Sequence, residues 1–206
     1  MTARGRFISL EGGEGAGKST QLKALAAALR ARGLGVVETR EPGGSEGAES
    51  IRRLLLEERE WPIEAEALLF AAARADHVDK TIRPALERGE WVISDRFIDS
   101  SLAYQGGAGG IGIDRVRELH HFATDGFLPD RTLVLTLPGG MQRARERDGE
   151  ASDRIGGRDD AFHDAVARAF ATIAAEEPER VRLVDASGSQ ADVTGRLVEA
   201  IADLLP

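Results

Sequence analysis

The chain has 206 residues, with 27 Lys plus Arg against 35 Asp plus Glu for a formal net charge of −8, and 42% of it is hydrophobic, which suffices for a sizeable core in one domain. It has no cysteine and four histidines, His77, His120, His121 and His163, which excludes disulfides and thiolate metal sites and leaves little for a histidine-built zinc centre. No apolar run reaches signal-peptide or membrane-spanning length, and the acidic balance argues against a nucleic-acid polymer as partner, so a cytoplasmic protein with no membrane attachment is expected, in which a local arginine cluster can still hold small phosphates.

The elements follow in order. Residues 7–11 are a short apolar run, the pattern of a buried strand, and lead straight into glycines. A helix is predicted over 19–32, where Leu22, Leu25, Ala26 and Leu29 recur at helical spacing and Gly33 sits at the expected C-cap. Residues 35–39 read as a second strand and 40–44 as a turn, after which Ile51, Leu54 and Leu55 mark a helix ending near 58. A long helical pattern covers 64–87, with a boundary or kink near Pro84.

Residues 91–94 form a third buried strand, closed by the charged pair Asp95 and Arg96, and the glycine-rich stretch 100–112 reads as an exposed loop before a helix over 113–124. A fourth strand over 131–136 precedes a helical stretch at 142–147. Residues 148–160 are charged, glycine-bearing and without apolar periodicity, the mark of a flap or lid. A helix over 162–175, a strand over 181–185 and a last helix over 192–204 complete the chain. Strands alternating with helices predict a single α/β domain: a parallel sheet of five strands, helices on both faces, and a small lid.

Gly12, Gly13, Glu14, Gly15, Ala16, Gly17, Lys18 and Ser19 match G-x-x-x-x-G-K-[ST], lie between a predicted strand and a predicted helix, and are followed by Thr20. Glycines let backbone N–H groups curl around a phosphate without Cβ obstruction, and the helix N-terminus adds partial positive charge. Lys18 is expected to reach the β and γ oxygens of a triphosphate, with the Ser19 hydroxyl on Mg²⁺. This loop alone announces a bound nucleoside triphosphate and leaves kinases, GTPases and ATPases open. The guanine-reading N-K-x-D and the transporter L-S-G-G-Q are both absent.

Taken with residues 39–44 (T-R-E-P-G-G), 69–74 (L-F-A-A-A-R), 93–97 (I-S-D-R-F), 100–106 (S-S-L-A-Y-Q-G) and 153–155 (D-R-I), all in family order, the chain resembles the thymidylate kinases over nearly its whole length. That resemblance implies a P-loop NTPase-type three-layer sandwich, a single nucleoside monophosphate kinase domain over 1–206 with its lid at about 148–160. It implies transfer of the γ-phosphoryl group of Mg-ATP to dTMP, giving dTDP and ADP, in dTTP biosynthesis. A homodimer packed through the long-helix region is implied as well.

By themselves, Phe70 and Arg74 lie four apart on one helix face and also fit a core ring beside a solvated guanidinium. By resemblance, Phe70 stacks on the thymine, Arg74 bonds to its edge, Ser101 and Gln105 approach the base, and Tyr104 lies under the deoxyribose. Asp95 and Arg96 close a buried strand, where ligands gather in open parallel sheets, although a surface ion pair is an ordinary alternative. The resemblance gives Arg96 to the acceptor's monophosphate and Asp95 to the magnesium shell. Likewise Arg40, Glu41 and Pro42 shape the acceptor pocket, and Arg52 reaches its phosphate.

Arg143, Arg145, Arg147, Arg154 and Arg158 concentrate positive charge in and before the predicted lid. Such a run usually marks a solvated face, but phosphoryl transfer needs cations where charge spreads over the transferring oxygens. In the bacterial type of this family the lid supplies arginine, whereas the eukaryotic type carries one in its P-loop. Here Glu14 and Ala16 occupy the P-loop, so Arg154, assisted by Arg147 or Arg143, is the expected source. The backbone around Asp185 to Gln190 frames adenine by analogy only. Two departures stand out: Gly156 follows D-R-I where the family has an acidic residue, and Thr136 interrupts the usual L-D-[VL] of the fourth strand.

A kinase acting on another small acceptor is the nearest rival on these residues. A nucleotide-sensing switch that hydrolyses slowly and signals through a partner is the rival from another class.

Overall fold

A computed structural model describes residues 4–56, 60–137 and 157–206. Five strands, β1 (Phe7–Gly12), β2 (Val36–Arg40), β3 (Trp91–Asp95), β4 (Arg131–Thr136) and β5 (Val181–Asp185), form one sheet in the order β2-β3-β1-β4-β5. All the pairings are parallel, with Ile8 of β1 opposite Ile93 on one side and Arg131 on the other. The expected strands are all present, each within a residue or so of its predicted bounds.

Alternation along the strands sends side chains to two cores. Ile8, Leu10, Ile93, Leu133 and Leu135 pack under α1 (Lys18–Arg30) and a helix near the C-terminus, Gln190–Glu199. Phe7, Val92, Val134 and Val181 pack on the other face, beneath a larger set of helices. Those contributing to this core are α4 (Arg83–Glu87), α5 (Ile98–Ser101), α6 (Ile113–Thr124) and α7 (Asp160–Glu176), while α2 (Glu46–Leu56) and α3 (Ile63–His77) pack on each other and α3 packs on α6, the element Gln190–Glu199 being α8. The three-layer α/β sandwich read from the sequence is the architecture of the protein. Among the described residues no helix is long and apolar enough to cross a membrane.

One expectation is met in detail and another is corrected. The long helical stretch over 64–87 changes winding where the boundary near Pro84 was expected: α3 passes into a π-helical turn at Val78–Ile82, and α4 begins at Arg83, next to the proline, which has no N–H to donate to an α-helical ladder. The stretch 100–112 is not an exposed loop. Its first part completes α5 and winds into a second π-helical segment, Leu102–Ala108, with Leu102, Ala103, Tyr104, Gln105 and Gly106 all buried. The glycines there serve close approach: a Cβ on Gly107 would stand 2.7 Å from the Ala169 Cβ of α7, so α7 lies directly on this segment.

The last predicted helix is α8 followed by a separate short turn of 3₁₀ helix, Ala202–Leu204. Asp159 and Asp160, placed at the end of the predicted lid, are the N-cap and first residue of α7, with Asp159 accepting from the Phe162 N–H. The helix expected over 142–147 and residues 148–156 of the lid fall outside the described residues. Thr136, the departure on β4, donates to the Val184 carbonyl and so ties β4 to β5.

Gly107→Val should lower stability by about 1 to 3 kcal/mol, as overpacking at a close helix contact does, with a matching drop in melting temperature. An unchanged melting temperature would show that α7 is not seated on the π-helical segment.

Candidate active site

Strand β1 lies at the point where the strand order reverses, so the loops leaving β1 and β3 open into one crevice at the carboxyl ends of the sheet. The loop after β1 is the glycine-rich one. Gly12 has φ 127°, and a Cβ there would run into the Leu135 carbonyl of β4. Gly17, with φ 85°, ends the loop and delivers Lys18 and Ser19 into the first turn of α1. Lys18 folds back over the loop, its Nζ donating to the carbonyls of Gly12 at 3.2 Å and Gly13 at 2.8 Å.

Arg96, directly after β3, is a non-glycine residue at φ 72°, a left-handed conformation that costs energy and must be held by its surroundings. Its holder is Glu11, a fully buried carboxylate at the end of β1. Glu11 accepts from the Phe97 backbone N–H at 2.7 Å, from Ser9 Oγ at 2.9 Å and from Ser100 Oγ. The turn so fixed lets Arg96 Nη1 donate to Ser100 Oγ at 3.1 Å and to the Gly12 carbonyl at 3.2 Å. Lys18 and Arg96 thus meet on one backbone oxygen.

The electrostatics record that crowding. Burial, and then the neighbouring Arg96 charge, lower the Lys18 pKa to about 7. Burial, and then Asp99, raise Glu11 to about 7, against the hydrogen bond from Ser100 and the charge of Arg96. Burial works against the Arg96 charge too, but Tyr104, Glu11 and Asp95 outweigh it and hold its pKa above the ordinary arginine value. Beside this junction Ser19 Oγ donates to Asp95 Oδ2 at 2.8 Å, which sets a hydroxyl and a carboxylate next to each other.

A cavity of about 240 Å³ opens beside it, lined by Glu14, Ser19, Asp95 and Arg96 together with Phe70, Arg74, Ser101, Tyr104 and Gln105. Arg40, Glu41, Pro42 and Arg52 form a further wall. Arg52 Nη1 donates to the Pro42 carbonyl at 2.8 Å, and Arg40 pairs with Glu49 at 3.0 Å. Every acceptor-site residue expected from the resemblance therefore faces one space, together with Glu14 and Ser19 from the P-loop.

Several of these side chains are already engaged. Arg74 is buried and donates through Nε to Glu41 Oε2 at 2.8 Å and through Nη2 to Ser101 Oγ at 3.0 Å and the Phe97 carbonyl at 3.2 Å. Glu41 Oε1 lies 3.0 Å from His77 Nδ1, whose Nε2 is 2.7 Å from Thr39 Oγ1. Breaking a buried pair of this kind strands a charge, which makes it an orienting device for Arg74 and the Ser101 hydroxyl. Gln105 Nε2 donates to Glu66, and the Arg96 guanidinium lies 5.1 Å from the centre of the Tyr104 ring.

Glu11, Glu66 and His77 were not singled out from the sequence. His77 follows Arg74 by three residues and Glu66 precedes Phe70 by four, so their helix face was readable, but their burial was not. Arg143, Arg145, Arg147, Arg154 and Gly156 lie outside the described residues. Arg158 is described and is turned to Glu66, its Nη2 donating to Oε2 at 2.8 Å. Among the described residues no three His, Cys, Asp or Glu side chains cluster as a metal cage.

Residues 10–196 match the family model described as thymidylate kinase. The chain belongs to the thymidylate kinase family. It is 64% identical over 208 residues to the thymidylate kinase of Rhizorhabdus wittichii, covering 98% of this chain and 99% of that one. It is 46% identical over 203 residues to the thymidylate kinase of Afipia carboxidovorans, covering 96% and 89% of the two chains. The crystal structure of thymidylate kinase from Ehrlichia chaffeensis superposes with a TM-score of 0.79 at 32% identity, covering 96% of this chain and 99% of that one. Membership of this family makes the activity that of a nucleoside monophosphate kinase, a phosphotransferase of nucleotide biosynthesis acting on dTMP.

The two buried groups that titrate near neutrality set a pH signature for the ligand-free protein. Glu11 binds a proton more tightly folded than unfolded, so its contribution to stability falls as pH rises from about 4.5 to about 7. Lys18 binds one less tightly when folded, so its contribution rises between about 7 and about 10.5. His120, whose pKa is lowered to about 4 by burial and then by the Arg74 charge, contributes in the opposite sense between about 4 and about 6.5, so the Glu11 part is read as a difference: between pH 5 and 7 the melting temperature of wild type should fall relative to that of Glu11→Gln. A slope of opposite sign between pH 5 and 7 that vanishes in Glu11→Gln would refute the buried-carboxylate assignment.

Proposed function

We propose that the phosphoryl donor is ATP with Mg²⁺ and that the cavity seats dTMP with its 5′-phosphate at Arg96 and its base between Phe70 and Gln105. The observation that carries this reading is the meeting of Lys18 and Arg96 on the Gly12 carbonyl. One cation comes from the donor's loop and the other from the acceptor's wall. Their mutual repulsion is relieved when anionic oxygens enter between them.

In this reading Gly12, Gly13, Glu14, Gly15, Ala16, Gly17, Lys18, Ser19 and Thr20 hold the donor's phosphates, through backbone N–H groups at the N-terminus of α1 and the Lys18 ammonium. The side-by-side hydroxyl of Ser19 and carboxylate of Asp95 fit a hard divalent cation, which bonds to oxygen and keeps much of its water. Bound there, Mg²⁺ would neutralise charge on the donor's phosphate oxygens.

The acceptor is already an anion, so the chain has to hold two phosphates in line and offset their repulsion; it forms no covalent intermediate. Arg96 offers a planar guanidinium to the acceptor phosphate, and Arg52 approaches from the wall made by Glu41 and Pro42. Arg74, clamped by Glu41 and Ser101, keeps its Nη1 without a hydrogen bond among the described residues and is aimed at the edge of the base. Tyr104, packed under Arg96, bounds the sugar. Arg154, with Arg147, supplies countercharge to the transferring phosphoryl in the family's bacterial manner.

Lys18→Ala should lower kcat by about 10² to 10³-fold or more without loss of fold, and ADP formation should need dTMP rather than run equally well without an acceptor. Near-normal turnover in Lys18→Ala, or ADP release indifferent to acceptor, would sink this assignment.

We place the working protein in the cytoplasm as a homodimer. Large apolar residues stand exposed on three adjacent helices, Leu54 on α2, Leu68 on α3 and Phe122 on α6, the last 89% exposed. Phe122→Asp together with Leu68→Asp is expected to shift the mass in solution, read by light scattering, from dimer to monomer. A wild-type mass of one chain at working concentration would remove the dimer.

A further inference from the structure

Glu66 sits on α3 one turn before Phe70 and two turns before Arg74, so the three share one helix face. It is fully buried, an unusual place for a carboxylate, and among the described residues each of its two oxygens accepts from a side-chain donor. Oε1 accepts from Gln105 Nε2 at 2.8 Å, and Oε2 accepts from Arg158 Nη2 at 2.8 Å. A guanidinium only donates, so this carboxylate acts as an acceptor toward both partners.

That pairing fixes a choice which an amide otherwise leaves open. An amide carries a donor and an acceptor of nearly the same shape, and its orientation follows from its neighbours. Turned over, Gln105 would set its Oε1 against Glu66 Oε1, two acceptors at hydrogen-bond distance. The NH₂ group therefore faces Glu66. The Oε1 atom belongs to a side chain that lines the cavity, and it accepts no hydrogen bond among the described residues.

We propose that Glu66 is a positioning residue that locks the Gln105 amide so that the cavity offers the acceptor's base a carbonyl oxygen. The inference rests on the placement of the base beside Phe70 and Gln105 proposed above. A carbonyl at that spot accepts from a ring N–H. Thymine and uracil carry one at N3, whereas cytosine has a bare acceptor there and would face Gln105 with like against like. Glu66 thereby selects 4-oxo pyrimidines over cytosine without touching them and is indifferent to the thymine methyl group. Arg158 holds the lock from outside: it braces the second carboxylate oxygen while its guanidinium lies 4.5 Å from the centre of the Phe162 ring.

The test is steady-state kinetics with dTMP, dUMP and dCMP on wild type, Glu66→Gln and Gln105→Ala, with a melting curve for each. Glutamine at 66 both donates and accepts, so it frees Gln105 to turn. The dTMP:dCMP ratio of kcat/KM should then fall by at least about tenfold while the dTMP:dUMP ratio stays put, since both of those bases carry the N3 proton. General damage to the site would not separate the two ratios. A folded Glu66→Gln protein with an unchanged dTMP:dCMP ratio overturns the lock. An unchanged ratio in Gln105→Ala overturns the placement of the base instead, so the two failures are distinguishable.

Should Glu66→Gln not fold, nitrogen-15 NMR of the wild type decides. The Gln105 side-chain amide protons should be protected from exchange and should stay so when dTMP is added. Exchange at the rate of a solvent-exposed amide overturns the proposal.

Discussion

The crest of the sheet depends on a carboxylate that water does not reach. Glu11 ends the central strand, and the backbone N–H of Phe97 and the hydroxyls of Ser9 and Ser100 close around it. Without those acceptor positions the turn after β3 has no reason to hold Arg96 at positive φ, and Arg96 is what joins the wall of the cavity to the P-loop. Ser100 in turn begins the buried segment that carries Ser101, Tyr104 and Gln105. One buried group thus joins the end of β1, the end of β3 and the cavity floor. Its own burial keeps its proton affinity high, because few dipoles besides those three donors replace the lost water.

A second layer lies behind the first. Asp99, also fully buried, receives both terminal nitrogens of Arg180 at 2.7 and 2.8 Å and the hydroxyl of Thr132 at 2.7 Å. This bidentate pair pins α5 to β4 and to the start of β5, so the helix that presents Ser100 and Ser101 is anchored across the sheet as well as along it. The Glu41, Arg74 and His77 chain does the same from α3. Site residues here are held by partners distant in sequence, which gives positioning finer than any single element could provide.

What the sequence disclosed, and what it hid, follows from the range of the forces involved. Strands 7–11, 91–94 and 131–136 were legible because burial on both faces demands continuous apolar residues. The phosphate loop was legible because its glycines, lysine and serine act within one short stretch. The stretch 100–112 misled because glycine usually marks a loop, whereas Gly107 is there to admit the Ala169 methyl of α7, contributed from 62 positions further along the chain. Glu66 was hidden for a related reason. An acidic residue in the first turn of a helix reads as a solvated partner of the helix dipole. Its burial depends on Gln105 and Arg158, which lie 39 and 92 positions away.

The convergence of Lys18 and Arg96 on one carbonyl oxygen has a bearing beyond catalysis. Two crowded cations, one of them lining a small cavity, recognise oxyanions by charge and size, and nothing in that pair distinguishes a nucleotide's phosphate from a free one. Sulfate and inorganic phosphate are therefore competitors for the same few ångströms. The ionic make-up of the surrounding solution enters any measured affinity for nucleotide as a rival ligand as well as through screening.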